Sequence, residues 1–169
     1  MNGKNTHKKI VYLIDSKNYN YHMEIVNDFV CVTGGSIIDM GDGTNLGTRY
    51  YEIEDNSPDV IITFDLAGHP LRTGNDTLSL NNIYSRVAHI LFHKTTHYGR
   101  DLKARQNLSM FTFVPNGEDV ETVKANCPEV PNIEEFVHFS YKPEDNKERE
   151  KNIENIRCWW DDFKREAML

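Results

Sequence analysis

Side chains that can do chemistry gather between two apolar segments, in the stretch DVIITFDLAGHPLRTGNDTLSLNNIYSRVAHILFHK at residues 59–94. Arginine and lysine pair with phosphates and carboxylates. Carboxylates accept sugar hydroxyls or hold a metal ion, and a histidine can act as a general base. Taken with the end of the first apolar segment, the candidate ligand-binding residues are Asp15, Asp65, His69, Arg72, Arg86 and Lys94. The candidate catalytic bases are His69, His93 and His97.

The elements that position these side chains are short apolar segments. Each segment is typical of a buried strand. They are KIVYLID (9–15), SIIDM (36–40), DVIITFD (59–65), HILFHK (89–94), LSMFTFVP (108–115) and EEFVHFS (134–140). Helical patterns lie between them. We predict helices around Met23–Val30 and at 48–57, 81–88, 117–128 and about 144–167. The last helix has an apolar stripe of Ile153, Ile156, Trp160 and Phe163, with Trp159 beside it, which we expect to pack on the sheet.

Alternation of strands and helices predicts an α/β fold with parallel strands. We expect a three-layer α/β/α sandwich, Rossmann-like or flavodoxin-like, with about six mainly parallel strands and a long C-terminal helix. A single domain, residues 1–169, fits the length. The strand order preferred on frequency alone is 3-2-1-4-5-6.

Ligands of such sheets bind beyond the carboxyl ends of the strands. Asp15, Asp39 and Asp65 each end an apolar segment and would lie along one rim, where they could hold a divalent ion or ribose hydroxyls. Acids also end strands simply because the chain is leaving the core. The long connection at 65–82 is predicted to be an ordered loop that faces a ligand, with a solvated surface loop as the alternative.

Two common nucleotide motifs are absent. The first strand-to-helix connection, DSKNYNYHM, has no glycine, and no GxxxxGK[ST] occurs, so neither the NAD or FAD fingerprint nor a P-loop is present and the cofactor is unknown. GDGTNLG (41–47) is either a ligand loop or a tight turn. HKTTH (93–97) has zinc-like histidine spacing, but on a strand-to-loop segment the two rings would diverge, so we predict no metal site.

Composition excludes several partners. The formal net charge of -7 disfavours a DNA-backbone binder. No apolar run approaches the roughly 20 residues that cross a bilayer, and the apolar run near the N-terminus is too short for a signal peptide. We therefore expect a cytoplasmic protein that binds neither DNA nor membrane. Cys31 and Cys158 are predicted to be buried thiols.

The layout resembles the N-terminal, Rossmann-like half of two-domain glycosyltransferases of the GT-B type. KIVYLID, PDVIITFD and AHILFHK, each followed by a long loop, carry the resemblance, which is architectural and covers about 140 residues. It implies loops at the carboxyl ends of the strands that face an acceptor. The donor-binding half of that family has no counterpart here, so the resemblance implies a ligand-binding derivative or one part of a complex.

Three functions follow as hypotheses. The first is a domain that binds a small anionic molecule, such as a nucleotide, a nucleotide sugar or a phosphorylated sugar. The second is a transferase or hydrolase that uses the same rim with a histidine base. The third is an interaction or regulatory module, in which the loop and the aromatic tail meet a protein partner or a second copy.

Overall fold

The computed structural model describes residues 8–17, 23–41, 46–64, 71–73, 76–78, 86–91, 109–113, 133–135 and 144–169, together with 121 and 125. Within these residues the strands are β1 (Ile10–Ile14), β2 (Ser36–Asp39), β3 (Val60–Phe64), β4 (Leu71–Thr73), β5 (Asp76–Leu78), β6 (Val87–Leu91), β7 (Ser109–Phe113) and β8 (Ile133–Glu135). The helices are α1 (Met23–Thr33), α2 (Leu46–Asn56) and α3 (Asn146–Glu166).

The main sheet has the order β2-β1-β3-β6-β7-β8, and every neighbouring pair is parallel. The predicted α/β class, parallel sheet and C-terminal helix are confirmed. The predicted order 3-2-1-4-5-6 is wrong, because β3 pairs with the other side of β1 from β2. The observed order is of the flavodoxin-like type, in which the direction of strand addition reverses between β1 and β3.

The central strands are buried along their whole length. All five residues of β1 (IVYLI) and all five of β3 (VIITF) are buried. Strands of a parallel sheet are covered on both faces, which is why their sequences are almost continuously apolar. The same property made these segments recognisable in the sequence.

Alternate residues of each strand pack into two separate cores. On one face, Tyr12 and Phe64 pack with Phe29 of α1 and with the aromatic side of α3. On the other face, Leu13 and Ile61 pack with Ile53 of α2. Helices therefore cover both faces of the sheet.

The handedness of the connections explains which helix lies on which face. The step from β1 to β2 and the step from β2 to β3 run in opposite directions across the sheet. Right-handed crossovers must then lie on opposite faces, as α1 and α2 do. The step from β3 to β6 runs across the sheet in the same direction as the step from β2 to β3. A right-handed connection between β3 and β6 therefore belongs on the α2 face, and β4, which is part of that connection, contacts α2. On the face that carries α1, the strands on the other side of β1 from β2 are covered by α3.

α3 begins with a capped turn and packs through aromatic rings. Asp145 accepts a hydrogen bond from the Glu148 backbone N–H at 2.9 Å, which satisfies one of the free donors of the first turn. Trp159 meets Phe29 of α1 edge to face at a centroid distance of 5.7 Å. Trp160 stacks on Phe163 at 5.5 Å. The predicted packing of the aromatic stripe on the sheet is confirmed, because these rings are buried.

An ion pair also joins α1 to α3. Arg149 donates to both carboxylate oxygens of Asp28, at 2.7 and 3.2 Å. The Asp28 side chain is almost buried and the Arg149 side chain is nearly half exposed. Because Asp28 would otherwise be a desolvated charge, the pair fixes where α3 lies along α1.

Several predicted boundaries need correction. Val87 and Ala88 were assigned to a helix, but they are buried in β6, which begins two residues earlier than predicted. The predicted loop at 65–82 contains the antiparallel pair β4–β5. β8 begins one residue before the predicted strand at 134–140. Most of the predicted helix at 117–128 lies outside the described residues.

Two further sequence predictions concern the surface. Cys31 and Cys158 were predicted to be buried, but both are exposed, because each lies on the side of its helix away from the core. None of the helices described above is both long enough and apolar enough to cross a membrane.

Replacing Phe163, which is 1% exposed, tests the packing of α3. We expect Phe163→Ala to lower the free energy of unfolding by about 3–5 kcal/mol, because it leaves a cavity between α3 and the sheet. Arg157→Ala, on the exposed side of the same helix, should stay within about 0.5 kcal/mol of the wild type. Urea unfolding of both variants measures the difference, and equal losses would contradict this packing.

Tyr12 should make stability depend on alkaline pH. Burial raises the pKa of its phenol above the ordinary value of 10.0. The folded state therefore holds this proton more tightly than the unfolded state, so the contribution is complete below about pH 10 and is lost as the pH rises above it. The Tyr12 hydroxyl also shares a hydrogen bond with the Thr33 hydroxyl, which lowers this pKa by less than burial raises it.

We expect Tyr12→Phe to flatten the fall in stability above pH 10, measured by urea unfolding at several pH values. Tyr51→Phe removes the same hydroxyl from a side chain that is 64% exposed, and it should keep the wild-type dependence because Tyr12 remains. A Tyr12→Phe variant with an unchanged slope would show that this phenol is not the responsible group.

Candidate functional site at the carboxyl edge

The reversal of strand order defines where a ligand would bind. Chains leave β1 and β3 at the same edge of the sheet, called here the carboxyl edge, and their connections then diverge to opposite faces. In open α/β sheets, ligands bind beyond the strand ends at such a reversal of strand order. Asp15 follows β1 directly at this point.

The side chain of Asp39 joins the ends of β1 and β2. Its Oδ1 accepts the backbone N–H groups of Ser16 at 3.1 Å and of Gly41 at 2.9 Å. Its Oδ2 accepts the Ser16 hydroxyl. The backbone N–H of Met40 also donates to the Ile14 carbonyl at 2.6 Å. Residues 15–17 and 39–41, called here the tied turns, are thus held together beyond the last strand residues.

Gly41 allows the tied turns to approach one another. A Cβ atom at this position would lie 2.7 Å from Asp15 Oδ1 and 2.7 Å from the Lys17 backbone nitrogen. No real Cβ makes contacts this short, so a larger residue would force the turns apart. Gly41 is therefore required here for close approach, and the tight-turn interpretation of GDGTNLG applies to it.

Charge in the tied turns is mixed. Asp15 is only 5% exposed, Asp39 is occupied by the hydrogen bonds above, and Lys17 is exposed to solvent. Two carboxylates against one ammonium group disfavour a phosphate directly between the turns and favour groups that donate hydrogen bonds, such as sugar hydroxyls. In the part of the chain that the structure describes, no group of three or more His, Cys, Asp or Glu side chains is placed to hold a metal ion.

Arg86 lies at the opposite edge of the sheet from Asp15. Its carbonyl accepts the Ile61 N–H at 3.0 Å, immediately before β6 begins. Its Nε donates to the Ala167 carbonyl at 3.0 Å, beyond the end of α3. The structure therefore does not bring Arg86 to the carboxyl edge, because a residue that precedes a parallel strand lies at the amino edge. Its guanidinium instead satisfies the Ala167 carbonyl at the end of α3.

The remaining candidates are only partly described. Arg72 lies in β4 opposite Thr77 of β5, in the connection that leaves β3. Five candidates fall outside the described residues: Asp65, His69, His93, Lys94 and His97. Of the proposed acids, Asp15 and Asp39 both lie beside Gly41. The Gly41 N–H donates to Asp39, and a Cβ at Gly41 would collide with Asp15.

Sequence reasoning missed two features of this edge. It grouped Asp39 with the possible ligand-binding acids, whereas the carboxylate ties two turns. It considered Gly41 as part of a ligand loop or a tight turn, but it did not predict the close approach to Asp15 and Lys17. An aspartate followed two residues later by a glycine, directly after a strand, is a turn signal that could have pointed to both.

A cavity of about 330 Å³ lies at the amino edge. Lys8, Lys9 and Asp55 line it together with the end of α2. The carbonyl end of a helix carries partial negative charge, so the cavity combines charges of both signs and selects no ligand class. The carboxyl edge is the better candidate, because ligands of open α/β sheets bind at that edge, where the strand order reverses.

The tied turns offer binding groups rather than a catalytic arrangement: a carboxylate, a hydroxyl, an ammonium group and backbone amides on a rigid strand end.

Comparison of the chain with protein-family models, curated proteins and solved structures found no match.

Replacing Gly41 tests the steric argument. We expect Gly41→Ala to lower the free energy of unfolding by about 1–3 kcal/mol, because the new methyl group overlaps Asp15 and Lys17. Gly34→Asn is the control: Gly34 has a φ of 77°, which asparagine tolerates, and a Cβ there meets no atom within 4 Å. Chemical unfolding should show the larger loss for Gly41→Ala, and the reverse ranking would contradict the model of closely packed turns.

Proposed function

We propose that this chain is a Rossmann-like, three-layer α/β domain that binds an anionic small molecule at the carboxyl edge. The ligand class is a nucleotide, a nucleotide sugar or a phosphorylated sugar. One observation carries the proposal: the strand order reverses between β1 and β3, and the tied turns stand beside that reversal.

Each candidate has a distinct role in this proposal. Asp15 accepts hydroxyl groups of the sugar, because carboxylates near strand ends bind sugar hydroxyls in related architectures. Lys17 and Arg72 pair with the anionic group, together with Lys94 and His69. Asp65 follows β3 and supplies a second acceptor. Arg86 has no part in the site, since its guanidinium bonds to the end of α3.

Burial of the aromatic tail supports a ligand-binding role over an interaction role. Trp159, Trp160 and Phe163 pack into the core, so they do not form the exposed aromatic surface that the interaction hypothesis used. Resemblance to the N-terminal, acceptor-facing halves of GT-B glycosyltransferases points to an acceptor-type ligand rather than a nucleotide-sugar donor, so phosphorylated sugars are tested beside the nucleotide sugars.

A thermal-shift screen tests the proposal. The panel holds nucleotides, nucleotide sugars, sugar phosphates and divalent ions. A ligand at about 100 times its dissociation constant adds roughly 2.7 kcal/mol, which raises the melting temperature by roughly 5–11 °C at this chain length. We expect such a shift for an anionic compound, and we expect Arg72→Ala and Lys17→Ala each to reduce it.

Arg157→Ala is the matched control, since it removes an arginine from the exposed side of α3. It should keep the full shift. A panel that leaves the wild-type melting temperature unchanged would refute the anionic-ligand proposal. A shift that survives in both Arg72→Ala and Lys17→Ala would move the site away from the carboxyl edge.

A further inference from the structure

We infer that Asp39 is a positioning residue of the carboxyl edge, which holds Asp15 and Lys17 in place without touching the ligand. The inference deepens the proposed function and rests on it for the ligand. In the protein without a ligand, the geometry of the turn after β1 depends on a side chain of β2.

The hydrogen bonds of Asp39 support this role. Both carboxylate oxygens are used within the protein, Oδ1 by two backbone N–H groups and Oδ2 by the Ser16 hydroxyl. Backbone donors that bond to a charged acceptor are held more strongly than those that bond to a neutral one. Ser16 lies between Asp15 and Lys17, so fixing its N–H fixes the backbone on either side.

Register of the two strands shows why such a tie is needed. Ile14 is the partner of Asp39 in the ladder between β1 and β2, and the Met40 N–H makes one further bond to the Ile14 carbonyl. Beyond this point, Asp39 supplies the hydrogen bonds that join Ser16 and Gly41. The carboxylate therefore extends the coupling of the strands into the tied turns.

Gly41 adds a direction to the inference. Its backbone occupies the space beside Asp15 Oδ1, since even a methyl group does not fit there. The β2 side of Asp15 is therefore closed, and a hydroxyl group cannot reach this carboxylate from that side.

Asparagine and alanine at position 39 separate positioning from contact. In Asp39→Asn, the amide oxygen still accepts the two backbone N–H groups, and its nitrogen can donate to the Ser16 hydroxyl. Asp39→Ala removes all three bonds. A positioning role needs the hydrogen-bond geometry, whereas a ligand contact through the carboxylate needs its charge. Ser16→Ala, which removes only one bond, is a milder variant if Asp39→Ala does not fold.

The matched control is Asp59→Ala. Asp59 also accepts a backbone N–H, that of Lys9 at 2.8 Å, but at the amino edge of the sheet. Loss of this carboxylate should speed amide exchange at Lys9 and leave Ser16 and Gly41 unchanged.

Amide hydrogen exchange measured by NMR tests the inference in the unliganded protein. A hydrogen bond to a charged group contributes about 1.5–3 kcal/mol, so Asp39→Ala should speed exchange at Ser16 and Gly41 by roughly 10–150-fold and shift the amide resonances of Asp15 and Lys17. Asp39→Asn should speed exchange less than Asp39→Ala does, because the amide keeps the hydrogen-bond geometry and loses only the charge. Unchanged exchange at both amides in Asp39→Ala overturns the inference.

Calorimetric titration with UDP-glucose, as a nucleotide-sugar probe, supplies the second readout. We expect Asp39→Ala to weaken binding at least tenfold and Asp39→Asn to stay within about threefold of the wild type. Equal losses in the two variants would show that the carboxylate contacts the ligand and would overturn the inference. If the wild type binds neither this probe nor the other anionic compounds, the proposed function fails, and the exchange data still decide the role of Asp39.

Discussion

Burial of the sheet on both faces is the constraint on which the rest of the structure depends. β1 and β3 expose none of their residues, so apolar side chains point in both directions and each face needs its own cover. The strand order reverses once, between β1 and β3. Right-handed crossovers therefore place α1 on one face and the following connections on the other, so the two faces are not covered equally. α3 supplies the missing part through Ile156, Trp159 and Phe163.

The same reversal creates the candidate site. A sheet whose connections all lay on one side would have no point at which two neighbouring strands send their chains to opposite faces. Here β1 and β3 do so, and the edge beside them is stiffened by one carboxylate and one glycine, Asp39 and Gly41. Stability and the geometry of the candidate site therefore come from the same topology, although different residues provide them.

Features that depend on local pattern could be predicted from the sequence, and features that depend on pairing could not. The segments around β1 and β3 were recognisable because burial on both faces leaves a continuous apolar run. The aromatic stripe of α3 followed from helical spacing. Strand order, in contrast, depends on which strand lies beside β1, and no residue in the sequence records it.

The errors at Arg86 and Asp39 have the same origin. A shift of two residues in the start of β6 moves Arg86 from a helix to the amino edge of the sheet. Asp39 looked like a ligand-binding acid because the sequence does not show that the Ser16 and Gly41 amides converge on it. The exposed Cys31 and Cys158 are a similar case, since a small change in helix orientation decides the exposure of a residue at the boundary of an apolar stripe.

Cover of the α1 face by α3 has a consequence for synthesis of the protein. Phe163 emerges from the ribosome about 150 residues after Tyr12, which at about 5–20 residues per second is a delay of roughly 8–30 s. During that time the aromatic face of β1 and β3 has α1 but not α3 against it. Contacts of such long sequence separation also form slowly. The nascent chain thus carries an uncovered apolar surface for seconds before the last helix can pack on it.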